Sequence, residues 1–323
     1  MTKGVSGVIR SIATACLEQG RSRNLNSDNV YAFGRLVNTG QRASLVRSAA
    51  QDDPLQLFAV ADGLDGAEQG ARAAETALAL LGAFSERLPV QQDFFAWART
   101  YLDQANRSIG QLLDQDPGLI GGTTLTAILL HDQSAYTLSV GNSRAYLYRD
   151  GSLTRLTRDD VTWTDDVRHL TRWLGMQDGE IRAEDGNLSR TGLQRDDVLL
   201  LTTDGITDLL SDEELAACLA APDAFVQRIG RIRDRALHKG APDDFSLIGI
   251  RIRDPDGKFA ANRKIHRERS RRPGQADLLE QSQQDHRWMR PLGVFLLCVL
   301  LGLLLGKLLT SLPAWFWHLL PGG

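Results

Sequence analysis

The sequence predicts an antiparallel α+β fold with helices covering sheets. Two observations carry this. Apolar, β-rich runs follow one another through short turns, and the helical segments come in pairs. A doubly wound parallel sheet would instead alternate strand and helix. The 323 residues, 42% hydrophobic and 24% charged, suffice for one large domain with appendages or for two domains.

The elements follow in order. Apolar β-rich runs predict strands over residues 11–17, 29–33 and 55–61, the first two around a polar loop. An Ala/Leu-rich segment predicts a helix over 67–88, stopped by Pro89. A second amphipathic helix is expected over 93–113. A block of β signals then predicts strands over 123–130, 134–140, 144–148 and 152–156. Turn residues separate them at His131-Asp132, Gly141-Asn142 and Asp150-Gly151, the last a hairpin signal. One more strand is expected over 198–203, helices over 212–219 and 224–238, and a closing strand over 245–252.

Beyond residue 254 the composition changes. Residues 255–290 are polar, with a basic cluster of Arg263, Lys264, Arg267, Arg269, Arg271 and Arg272, and read as a solvated linker. Residues 291–312 are nearly continuous Leu, Val, Phe, Gly and Cys. That approaches the roughly 20 residues that cross a hydrocarbon core, so a single transmembrane helix is expected. Trp288 on one side and Trp315, Phe316 and Trp317 on the other suit membrane interfaces. Lys307, near the far end, can snorkel. Arg287, Arg290 and the upstream cluster place the N-terminal domain in the cytoplasm and residues 313–323 outside as a short tail. The cluster itself either touches anionic membrane lipid or is simply solvated.

Met1 to Gly20 lacks the apolar core of a signal peptide. A net charge of -3 gives no reason to expect nucleic acid. Cys16, Cys218 and Cys298 have no metal-ligand spacing and read as buried thiols in a reducing compartment. The six histidines form no ligand pattern either.

The chemistry concentrates in two acidic corners, Val60-Ala61-Asp62-Gly63 and Thr202-Thr203-Asp204-Gly205. Each ends an apolar β-rich run. A carboxylate there is costly unless a cation meets it. The Gly that follows lets the backbone turn and leaves its carbonyl free. With Asn26-Ser27-Asp28 and Asp243-Asp244, these corners predict one hard-cation site assembled from distant segments.

The loops form an ordered series. It runs from Gly20 through Arg23 to Asp28, then Ala61-Asp62-Gly63-Leu64-Asp65-Gly66 and Gly121-Gly122-Thr123-Thr124. It continues with Val140-Gly141-Asn142-Ser143-Arg144, Leu156 to Asp160 and Leu170-Thr171-Arg172-Trp173-Leu174-Gly175. Thr203-Asp204-Gly205-Ile206-Thr207-Asp208 and Asp243-Asp244-Phe245-Ser246 close it. Over about residues 6–253 this series resembles the metal-dependent serine/threonine protein phosphatases of the 2C type.

The resemblance implies two packed antiparallel sheets flanked by helices, an α-β-β-α sandwich, with the phosphatase domain over 1–254. It implies two divalent cations, Mg²⁺ or Mn²⁺, which can clamp phosphoryl oxygens and activate a water. Asp62 would bridge both ions, and Gly63 would offer its carbonyl to the second. Asp204 and Asp243 would complete the first. Asp28 would orient water, and Arg23 would bind substrate phosphate. Gly121 and Gly122 would either pack backbone near the ions or form a plain turn, while Thr123, Thr124 and Arg144 would be scaffold. The implied partners are phosphorylated proteins, targets of a serine/threonine kinase.

Several positions depart from the family pattern. Ser27 stands where Glu is frequent, Asp160 where His is common and Asp244 where Asn is common. Leu64 leaves no His beside Asp62. Asn142 replaces an Asp resembling a ligand of a third, looser ion, which puts a third site in doubt. These departures motivate a second reading, a catalytically impaired phosphoprotein-binding or adaptor protein on the same fold.

Overall fold

The computed structural model describes residues 8–37, 44–64, 68–86, 93–114, 121–176, 181 and 188–255, all within one unit spanning Met1–Ala260. The N-terminal half supplies β1 (Arg10–Glu18), β2 (Asp28–Ala32), β3 (Arg35–Leu36), β4 (Ser44–Gln51), β5 (Leu55–Asp62), α1 (Glu68–Glu86) and α2 (Phe94–Leu113). The middle is β6 (Leu125–His131), β7 (Ser134–Val140), β8 (Arg144–Arg149), β9 (Ser152–Arg155), β10 (Val161–Thr164), β11 (Val167–Leu170) and β12 (Ser189–Gly192). It closes with β13 (Val198–Thr202), α3 (Asp204–Thr207), α4 (Asp212–Ala220), α5 (Phe225–His238) and β14 (Phe245–Asp254).

The strands form two six-stranded sheets, ordered β4-β1-β14-β13-β8-β9 and β12-β7-β6-β5-β2-β3, with a separate β10-β11 hairpin. Pairing within both sheets is antiparallel. The sheets pack face to face over an inner core that includes Phe58, Val60, Ile128, Leu199, Leu201, Ile248 and Ile250. Helices α1 and α2 cover the outside of the second sheet, burying Leu78, Leu81, Tyr101 and Ile109 against Leu57, Ala59 and Leu125. Helices α4 and α5 cover the first, burying Leu215, Leu219 and Ile229 against Val198, Leu200 and Leu247. The expected antiparallel α+β architecture is therefore present, with helices outside two sheets.

This layering explains the unbroken apolar runs. A strand covered on both faces needs apolar residues at every position. In β13, Leu199 and Leu201 enter the inner core while Val198 and Leu200 enter the helix-covered one. In β5, Phe58 and Val60 face inward and Leu57, Ala59 and Ala61 face α1 and α2. Local signals set the helix ends. Asp93 accepts a hydrogen bond from Phe95 N at 3.0 Å, and Ser211 forms a capping box with Glu214.

Some elements have no counterpart in the sequence reading. Strand β4 lies at an edge and pairs with β1, where Thr14 and Ser48 are cross-strand partners whose hydroxyls meet at 2.9 Å. The β10-β11 hairpin, β12 and the short α3 are also new. Thr203-Asp204-Gly205 is not a turn but the entry to α3, with Thr203 at its N-cap. Cys16 and Cys218 are buried and free, as expected, and Cys298 lies outside the described residues. No helix among the described residues is long and apolar enough to cross a membrane. The expected linker beyond Pro255, the transmembrane span over 291–312 and the tail over 313–323 lie outside those residues.

Candidate metal centre

Antiparallel pairing places the end of one strand beside the start of its neighbour, and both sheets do this at the same end. In the second sheet, Asp62 at the end of β5 is the direct partner of Asp28 at the start of β2. In the first, the end of β13 leads to Asp204, and the start of β14 follows Asp243 and Asp244. Hydrogen bonds link the sheets here, among them Thr203 Oγ1 donating to Asp28 Oδ2 at 2.8 Å. The cation-site residues expected from four distant segments are thus neighbours.

Asp62 is located through its backbone. Its N–H donates to Thr124 Oγ1 at 3.2 Å, and its carbonyl accepts from Thr123 Oγ1 at 2.8 Å and Thr124 N at 2.9 Å. Thr124 Oγ1 also meets Ser143 Oγ at 2.8 Å, which ties the Asn142 loop to Asp62. Thr123 and Thr124 thus hold the backbone of Asp62 in place.

Asp204 is located through its carboxylate. Asn142 Nδ2 and Arg168 Nη2 both donate to Oδ2, at 2.7 and 3.1 Å. Arg168 comes from the β10-β11 hairpin, and its fork also takes both oxygens of Asp208 at 2.7 Å. Sequence reasoning assigned no role to Arg168. The available signal was the β-branched run Val161-Thr162-Trp163-Thr164 before Asp165-Asp166. Both aspartates have positive φ, 51° and 60°, as a two-residue hairpin turn requires.

Arg23 makes a two-point contact with Asp243, Nε to Oδ1 at 2.5 Å and Nη2 to Oδ2 at 2.7 Å. The expected phosphate-binding residue therefore lies beside an expected metal ligand. Asp244 is buried and fully employed: it accepts from Gly20 N at 2.8 Å, Ser27 N at 2.8 Å and Ser27 Oγ at 2.9 Å. Ser27 and Asp244 thus complement each other in anchoring the Arg23 loop to β14. Asp160 is likewise structural, accepting from Gly141 N at 2.9 Å and from Arg172.

The glycines of both corners serve close approach, not a left-handed turn; neither is among the residues with positive φ. A Cβ on Gly63 would lie 2.3 Å from Gly70 C and O, and one on Gly205 would lie 2.1 Å from Asp244 O.

Electrostatically the site is crowded with like charge. Burial, then Asp28, Asp204 and Asp243, holds the Asp62 carboxyl well above the ordinary range. Burial pushes Asp28 up to about 8, with Asp244 and Asp204 adding to the rise while Ser246 and Thr203 oppose it. Asp204 is raised by burial and Asp208, with Arg168 and Asn142 acting against the rise. Such a cluster is stabilised by protons or by cations. Asp28 Oδ1 and Asn142 Oδ1 are also buried without a hydrogen-bond partner, an arrangement suited to hard cations and their waters. Among the described residues, no three His, Cys, Asp or Glu side chains form a ready-made cage. Mg²⁺ and its chemical relatives keep several waters and need few protein ligands, so the donor set fits them.

A two-sheet sandwich with acidic corners at one end defines a class of proteins. Residues 45–239 match the family described as protein phosphatase 2C, and the chain belongs to that family. It is 30% identical over 251 residues to the serine/threonine protein phosphatase PstP of Mycobacterium tuberculosis, a match covering 74% of this chain and 44% of that protein. It is 25% identical over 251 residues to the serine/threonine phosphatase stp of Listeria welshimeri, covering 72% of this chain and 92% of that protein. The solved catalytic domain of PstP, in complex with two manganese ions, aligns at 27% identity with a TM-score of 0.60, covering 76% of this chain and all of that one.

Proposed function

We propose that this chain hydrolyses phosphoserine and phosphothreonine on proteins, using two divalent cations, Mg²⁺ or Mn²⁺, and is tethered to a membrane by residues 291–312. The observation that carries the hydrolytic reading is the convergence of Asp28, Asp62, Asp204 and Asp243 at one end of the sandwich, with Arg23 on its rim. The manganese in the PstP catalytic domain supports the same choice of cation.

In this reading Asp62 would be shared by two cations, Gly63 would offer its carbonyl, and Asp204 and Asp243 would complete the protein's donor set for Lewis-acid chemistry. When bound, such ions supply Lewis acidity and lower the pKa of water. The protein's own groups do the rest. Asp28 Oδ1, a buried acceptor without a partner, orients a water. The Arg23 fork, which here grips Asp243, has the geometry to take two phosphoryl oxygens. With Leu64 beside the centre, the leaving oxygen takes its proton from water or substrate. Membrane tethering concentrates the site near membrane-bound phosphoproteins, the products of a serine/threonine kinase. The apolar run and its basic flank support that placement, with the catalytic domain cytoplasmic.

The test is hydrolysis of an aryl phosphate and a phosphothreonine peptide by the full chain with Mn²⁺, Mg²⁺ or chelator. We expect metal-dependent turnover that Asp62→Ala and Asp204→Ala each reduce by about a thousandfold, the scale of losing one strong preorganised electrostatic group. Turnover indifferent to metal or to both substitutions overturns the reading, and metal binding without turnover favours the adaptor. For the tether, removing residues 291–323 should move the protein from the membrane to the soluble fraction. A full chain already soluble without detergent rules the tether out.

A further inference from the structure

We propose that Asn142 and Arg168 are positioning residues that clamp one oxygen of Asp204 and so set the metal affinity of the centre. The inference rests on the metal-centre reading above and adds residues outside its ligand set.

The geometry is specific. Asp204 Oδ2 receives two N–H donors from separate segments: Asn142 Nδ2 at 2.7 Å, from the loop between β7 and β8, and Arg168 Nη2 at 3.1 Å, from β11. Neither donor touches Oδ1, and the Asp204 carboxylate also shares a hydrogen bond with the Asp62 carboxyl, a contact that a cation would replace. A carboxylate held by one donor can rotate and exchange its oxygens; two converging donors oppose that rotation. Groups behind a metal ligand orient it in this way, and losing one typically weakens binding.

Both donors are themselves fixed. Asn142 is 8% exposed, and its neighbour Ser143 is bonded to Thr124. Arg168 holds Asp208 through two bonds of 2.7 Å, and Asp208 N donates to Asp204 O at 2.8 Å. Asp204, Asp208 and Arg168 thus form a closed loop of contacts. An Asp at position 142 could not donate to Asp204, so the amide is the feature that makes the clamp.

The clamp also links the β10-β11 hairpin to the centre. Arg168 is the direct cross-strand partner of Trp163, which is 66% exposed. A displacement of the hairpin therefore pulls on a donor to Asp204. Asp208→Asn loosens the same link without altering either donor to Asp204.

The experiment is Mn²⁺ titration of the full chain by calorimetry, compared with Asn142→Ala, Arg168→Met, Arg168→Lys, Asp208→Asn and the Asn142→Ala/Arg168→Met double variant. Asn142→Ala and Arg168→Met should each weaken Mn²⁺ binding by about 10- to 100-fold, the usual effect of removing a group behind a metal ligand. Arg168→Lys, which keeps the charge but not the fork, should fall between, as should Asp208→Asn. The double variant should lose less than the product of the single losses, because both donors serve one oxygen. In the aryl phosphate assay, saturating Mn²⁺ should restore kcat, with KM for the ester unchanged. Single variants that bind Mn²⁺ within about twofold of the unaltered chain overturn the clamp, as do losses that multiply in the double variant. If a variant fails to fold by circular dichroism, Asp208→Asn alone decides, and unchanged Mn²⁺ binding in it also overturns the clamp. Because binding is read without turnover, an inactive chain that binds Mn²⁺ with the expected pattern leaves the clamp standing and removes only the hydrolytic reading. No Mn²⁺ binding by the unaltered chain removes both.

Discussion

The two acidic corners look alike in sequence, yet the fold secures them by opposite means. Asp62 ends a strand and is pinned by three contacts to its own backbone atoms. Asp204 opens a short helix and is pinned through its side chain by Asn142 and Arg168. The first arrangement locates the residue through its backbone, while its carboxyl meets that of Asp204. The second fixes one carboxylate oxygen before any cation arrives. In the proposed centre, one shared and one pre-oriented ligand would thus come from a single repeated dipeptide.

The largest test of this contrast is the feature the corners share. Gly63→Ala and Gly205→Ala each drive a Cβ to within 2.3 Å or less of main-chain atoms, of Gly70 and Asp244 respectively. Backbone cannot swing aside as a long side chain can. Each change should destabilise the protein by about 1–3 kcal/mol, read as a lower melting temperature. Gly110→Ala, in α2 with nothing within 4 Å, should instead be neutral or stabilising. Equal behaviour at all three positions would show that the corners do not need their glycines.

A smaller effect separates the corners electrostatically. Asp62 and Asp28 are raised by burial and acidic neighbours, whereas Arg168 and Asn142 counter the rise at Asp204. In chelator, carboxyl NMR should find Asp62 holding its proton to higher pH than Asp204. The sign for stability follows. Acids raised on folding bind more protons folded than unfolded, so stability falls as pH rises through the window from 3.8 to about 8 set by Asp28. Between about pH 6 and pH 8 the chelated protein should lose stability, by at most about 1.4 kcal/mol per pH unit per group, read as a falling melting temperature. Saturating Mn²⁺ should flatten that slope, because cations replace the protons. A slope of opposite sign in chelator would mean that the carboxylates do not repel as described.

The sequence made the two-sided strands legible because burial on both faces leaves little room for polar residues, as in β5 and β13. The acidic corners were legible because a charge at the tip of such a strand demands an explanation. What escaped was held by contacts that leave no periodic trace. Strand β4, with the sequence Ser44 to Gln51, is an edge with mostly exposed side chains, and its hydroxyl pair with β1 depends on a distant partner. The β10-β11 hairpin has a turn made by two aspartates instead of Asn-Gly, so its signal was weak. Arg168 therefore had no element to place it, and no spacing rule relates it to Asp204. The roles of Asp160 and Asp244 were hidden for a related reason: a buried carboxylate that accepts backbone N–H groups has the same letter as one that awaits a metal.

Strand β14 sits between β1 and β13 in the centre of its sheet, although it comes last of the described elements. It follows directly on Asp243 and Asp244, and its partner β1 is more than two hundred residues away in sequence, with Glu18 registered against Phe245. A nascent chain thus emerges with β1, the first of the described strands, waiting for β14, the last of them. Until Phe245–Asp254 leaves the ribosome, the first sheet has an open centre, Arg23 has no Asp243, and the Ser27 loop has no Asp244. Pairings of such long range form slowly, since the intervening chain must be closed into a loop first. Asp28 and Asp62 pair within the N-terminal segments, so the centre is completed only by the arrival of Asp243 and Asp244.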